Sequence, residues 1–215
     1  MKKTSPVLLV AVCVACSTRQ PASRSDSVVA ATAAPSATTT ATAGGEVPVS
    51  SKESAVAPEI NPPGDIPDSQ AFVKYTSAAP AYSFEVPEGW ARTGNGSSAS
   101  FVSKLDGVKI DIMPASAAPT AATATSNAAK QIQAQGHAVT ITGVTDVTLP
   151  AGKAVLIKYD SNSDPNPVTQ KQVRLDNQAY LIFSNGQLAT LTFWAPKGAD
   201  NIDQWNRMSR SFRWQ

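Results

Sequence analysis

The chain has 215 residues, with 18 Lys plus Arg against 16 Asp plus Glu, one His and two Cys. A formal charge of +2 is too even for a nucleic-acid surface, which declares itself by a strong basic excess. Both cysteines, Cys13 and Cys16, lie near the amino terminus, so the rest of the chain holds no disulfide framework, thiolate metal site or cysteine nucleophile.

The opening "MKKTSPVLLVAVCVAC" sets Lys2 and Lys3 before the apolar run Val7 to Val14, then the small Ala15 and Cys16. This reads as a secretory signal peptide over residues 1–15, too short for a permanent span. A Cys directly after a small residue resembles the lipobox of bacterial lipoproteins. That resemblance implies a diacylglyceryl group on Cys16 and an acyl chain, such as palmitate, on the new amino terminus. Cys13 stands where lipoboxes favour an aliphatic residue, and Val12 is too large for cleavage ahead of Cys13, which leaves Cys16 as the anchor. Acyl chains contribute about 0.8 kcal/mol per buried methylene, and more than one chain anchors stably. The expected location is the cell envelope, as a membrane-anchored lipoprotein that does not cross the bilayer. Ser17, rather than Asp, after the cysteine points to the periplasmic face of the outer membrane in a two-membrane bacterium, and otherwise to the outer face of the cell membrane.

Residues 16–65 are dominated by Ala, Ser, Thr and Pro, as in "VVAATAAPSATTTATAGG". Such a segment buries too little apolar surface to offset its chain entropy and is expected to be a disordered tether. As a flexible coil, ~50 residues span roughly 40 Å.

Residues 66–215 hold all four Trp, four Tyr and six Phe, and fit one domain. Alternation predicts strands at 71–76 and 82–86, the second with Tyr82, Phe84 and Val86 on one face and Ser83 and Glu85 on the other. Strands at 98–104 and 108–113 follow, with Asp106-Gly107 as a hairpin signal between them. Pro119, Gly136 and the spacing of Ala121, Ala124, Ala128 and Ile132 predict one helix. Five further strands are read at 138–149, 153–160, 169–175, 179–184 and 188–195. Pro150-Ala151-Gly152, the "SNSDPNP" loop, Asp176-Asn177 and Asn185-Gly186 are the turns between them. The chain closes on a helix capped by Asp200, with Ile202, Trp205, Met208 and Phe212 on one face and Arg207, Arg210 and Arg213 towards its carboxyl end.

"YSFEVPEGW", the central helix, the hairpin ending "LTFWAP" and the terminal "GADNIDQWNRMSRSFRW" together resemble PsbP-like lipoproteins of the LpqN type, in a superfamily with the Ran-binding Mog protein. The resemblance covers residues 68–215. It implies an α+β fold in which a central antiparallel β-sheet is sandwiched by helices, and a non-catalytic protein without cofactor or catalytic residues.

Glu85 and Glu88 are the first candidate acid/base pair, but Glu88 lies beyond Pro87 in a turn, so strand termination is the better reading. His137 has no nucleophile-elbow motif to serve and reads as a solvated loop residue. Asp160, Asn162 and Asp164 alternate like the start of a calcium loop, yet no Gly or distal Glu completes it, so no metal site is assigned. Arg207, Arg210, Arg213 and Trp214 form the candidate partner surface. The expected function is a lipid-anchored, non-catalytic binding or adaptor module for another envelope protein, with no nucleic-acid partner. The alternative is a carrier or sensor of a small ligand or lipid held between sheet and helix.

Overall fold

A computed structural model describes residues 53–215. Two antiparallel sheets form the scaffold. The smaller has the order β1 (Phe72–Ala78), β2 (Ala81–Pro87), β10 (Arg213–Trp214). The larger runs β3 (Ala91–Asn95), β4 (Ser98–Ser103), β5 (Asp106–Pro114), β9 (Gln187–Pro196), β8 (Arg174–Ser184), β7 (Gly152–Asn162), β6 (His137–Leu149). Three helices complete the described residues: α1 (Ala121–Ser126), α2 (Ala128–Gln135) and α3 (Ile202–Ser211).

The two-residue period of the strands builds a core on each face of the larger sheet. Along β7, Ala154 and Leu156 enter one core while Val155 and Ile157 enter the other. On the second face the cover is α1 and α2, whose Ala124 and Ala129 are small enough to lie against the strands. On the first face the cover is shared: α3 contributes Trp205 and Met208, Phe212 follows it, and β2 contributes Tyr82, Phe84 and Val86. The fold is thus α+β with helices on both faces, and a small sheet shares one of them. Its aromatic side chains interlock, with Phe84 edge-on to Phe101 at 5.8 Å and Phe193 stacked on Trp205 at 5.9 Å. Each fully buried Phe contributes about 1.5–3 kcal/mol.

Several sequence expectations are redrawn. The central helix breaks at Asn127, at φ −117° and ψ −77°, just after Thr125 Oγ1 and Ser126 Oγ donate back to the carbonyls of Ala121 and Thr123, bonds of a kind that bend helices. Asp106-Gly107 is not the hairpin turn: Lys104 and Leu105 make it, with Lys104 at φ 55°. Gly107 serves packing instead, since a Cβ there would stand 1.9 Å from Cζ2 of its cross-strand neighbour Trp194. Asp176-Asn177 is not a turn either. Asn177 lies inside β8 and donates to Tyr159 O, Ser161 Oγ and Leu175 O, so the two expected strands merge. Residues 169–173 remain loop, and β3, with every residue exposed, adds an edge strand that no alternation announces. Asn185 and Gly186, at φ 47° and 74°, do form the expected hairpin.

Candidate functional site

The expected partner surface is only partly a helix face. α3 stops at Ser211, and Arg213 and Trp214 turn into β10, in register with Ser83 and Tyr82 of β2. Ser211 Oγ accepts the Glu85 N–H, so the helix end satisfies the edge of β2 where β10 stops. Arg207 Nε donates to Glu85 Oε2 at 2.7 Å, and its guanidinium lies 4.2 Å from the centroid of Phe72. Arg213 Nη1 donates to the carbonyls of Arg210 and Phe212, which holds the side chain near the helix end while leaving it exposed. Lys74 stands directly across from Glu85 in the β1–β2 register. By register Lys74 and Arg213 lie on the same side of the small sheet as Glu85, whose carboxylate is paired by Arg207 alone among the described residues, and Arg210 is exposed. Trp214 is half-buried, its ring edge-on to Phe212 at 5.2 Å, so most of it serves packing. Glu88 is exposed and Glu85 is committed to Arg207, so the two glutamates do not converge.

A second constellation binds the chain segment ahead of β1. Residues 53–65, which composition assigns to the tether, carry contacts to the domain from Glu53 onward. Two buried asparagines hold this strap in the same way. Asn162 Nδ2 donates to Ser54 O and its Oδ1 accepts from Val56 N; Asn201 Nδ2 donates to Gly64 O and its Oδ1 accepts from Ile66 N. In each case one amide mimics a neighbouring strand, pairing with a carbonyl and the N–H two residues on. Asn201 stands at the helix start expected for Asp200, yet its side chain makes no capping bond because the strap has taken it.

Charge collects around Asn162. Glu53 Oε1 accepts from Asn162 Nδ2 and Gln172 Nε2, and Glu53 Oε2 lies 2.7 Å from His137 Nδ1. Hydrogen bonds from Asn162, His137 and Gln172 hold the Glu53 carboxyl down at about 2. The Glu53 partnership raises the pKa of His137, and Asp164 Oδ1, 3.3 Å from Nε2, adds to it. His137 thus begins β6 between two carboxylates, where the sequence suggests a solvated loop residue, and its side chain stays partly exposed. Asp160 and Asn162 do not open a calcium loop. Arg174, buried between them, donates to Asn162 Oδ1 at 3.1 Å and stands 3.9 Å from Asp160, whose other cationic partner is Lys197.

Between the end of α2 and the open part of the larger sheet lies a cleft of about 440 Å3, lined by Ile132, His137, Tyr159, Asn177, Thr192 and Trp194 among others. Burial pushes the Tyr159 hydroxyl up to about 12. No helix among the described residues is long and apolar enough to cross a membrane. Cys16, the leader and the tether as far as residue 52 lie outside the described residues. Asn201 escaped the sequence reading, and Asn162 was read only as a loop ligand candidate, because their partners are remote: Asn201 meets residues 135 to 137 positions away and Asn162 residues 106 to 109 away.

The sequence matches no known protein family and no curated protein. Among solved structures, the chain is similar to the solution structure of cyanobacterial PsbP (CyanoP) from Synechocystis sp. PCC 6803, at 15% identity and a TM-score of 0.48, covering 71% of this chain and 98% of that one. It is also similar to a crystal structure from Bacteroides thetaiotaomicron VPI-5482, at 12% identity and a TM-score of 0.44, covering 66% of this chain and 48% of that one.

Proposed function

We propose that this chain is a lipid-anchored, PsbP-like envelope protein that acts as a non-catalytic adaptor for another envelope protein with an acidic contact surface. The observation that carries the reading is that register puts Lys74 and Arg213 on the same side of the small sheet as Glu85, whose carboxylate is engaged by Arg207. Such a surface repels basic partners and speeds encounter with acidic ones. The anchor is Cys16, by the leader pattern, and the Ala/Thr-rich segment gives the domain reach.

The test is crosslinking in intact cells followed by affinity capture and mass spectrometry, comparing the wild type with a Lys74→Ala, Arg210→Ala, Arg213→Ala variant. Arg207 is kept because it holds Glu85 and covers Phe72. The adaptor reading expects one specific envelope protein that is lost from the folded variant. Identical captures from both chains contradict it. The cleft beside α2 favours a second reading, a carrier of a small ligand or lipid, and co-purification of such a molecule without a protein partner supports that reading instead.

A further inference from the structure

The two ends of the strap share more than an asparagine clamp. At the outer end, the carboxylate of Glu53 grips His137, which also faces Asp164 of the loop after β7; Arg174 of β8 is turned to Asn162 and Asp160. At the inner end, Gly64 lies against Asp106 so closely that a Cβ would stand 2.9 Å from its Oδ1. Asp106 is only 6% exposed, and that Oδ1 has no hydrogen-bond partner. The charged groups around it are Asp65 on the strap itself and Lys104 in the turn before β5. Asp65 is held in place by the Asp200 N–H, at 2.9 Å.

A positive His137 attracts Glu53, and a neutral Asp106 tolerates burial beside Asp65. Loss of a proton at either place works against the strap: it removes an attraction at one end and creates a buried like-charge pair at the other. We propose that residues 53–66 form a proton-controlled strap, docked along the end of the larger sheet in mildly acidic surroundings and released above neutrality, which lengthens the tether. Release frees residues 53–65 and adds up to about 45 Å of reach when they are extended.

The direction is the same at both ends. Burial and Asp65 raise Asp106 from its ordinary value to about 7, so docking weakens as pH climbs from about 3.8 to about 7. His137 is also raised, so its contribution is complete below about 6.5 and is lost as pH passes its raised value. Glu53 acts in the opposite sense only in acid, where its contribution is lost between about 4.5 and about 2.

The experiment is amide relaxation by NMR on the full chain between about pH 5 and about pH 8, reading residues 53–66 against the core strands. The expected result is a released population that grows roughly tenfold or more across that range, with β7, β8 and β9 unchanged. Glu53→Gln and His137→Phe should flatten the response at Val56, and Asp106→Asn the response at Ile66. Constant strap order in the wild type across the range overturns the proposal even if a variant fails to fold. Loss of the strap together with the core strands overturns it as well, because the strap is then no separate device.

Discussion

Asn162 and Asn201 make the same pair of hydrogen bonds to the same strap, and their surroundings make them different parts. Asn201 is 1% exposed at the start of α3, above Trp205 and Ile66 in the main core. Asn162 is itself buried, but the groups around it, Glu53, His137 and Asp164, are open to water. The same bonding pattern is therefore tighter and drier at one end than at the other. What a hydrogen bond contributes depends on whether water can replace it when it breaks.

Breaking the inner clamp should have the largest effect. Asn201→Ala leaves Ile66 N and Gly64 O without partners beside the core, and global stability should fall by about 2–4 kcal/mol in denaturant titration. Asn162→Ala removes an equivalent pair whose strap groups can rehydrate, although Arg174 loses one acceptor. A cost of about 1–2 kcal/mol is expected, seen chiefly as faster exchange in residues 53–56 rather than as a shifted global midpoint. Glu53→Gln sharpens the comparison further. It should abolish the weakening of the outer clamp between about pH 4.5 and about pH 2 while leaving the inner clamp's neutral-range response intact. Arg213→Ala, at an exposed side chain, should change stability by no more than about 0.5 kcal/mol yet reduce partner capture.

The legible parts of the fold were those with local causes. Tyr82, Phe84 and Val86 alternate, so the inward face of β2 was readable, and Asn185-Gly186 supplies the positive φ its hairpin needs. The readings that failed were overruled at a distance. Asp106-Gly107 looks like a turn until Trp194 packs on Gly107, and Asp176-Asn177 looks like one until Asn177 finds Tyr159 and Ser161 on the next strand. Of the candidate surface, Arg207 and Arg213 were visible as a helix row. Glu85 reads in sequence as the polar face of a strand near its end, and Lys74 carries no local signal because β1 meets β2 through register alone. The strap was hidden most completely. Its composition matches the tether before it, and its holding residues are ordinary loop-type asparagines until the chain brings them round.

Amide hydrogen exchange at Val56 and Ile66, followed in the full chain at one mildly acidic pH, tests the strap most directly. Val56 N donates to Asn162 and Ile66 N to Asn201, so each amide reports one clamp. The account predicts that both amides are protected at that pH and that Val56, among solvated groups, opens at distinctly lower free energy than Ile66, beside the core. Equal protection at the two amides, or a Val56 that exchanges as freely as an unstructured peptide, would contradict it.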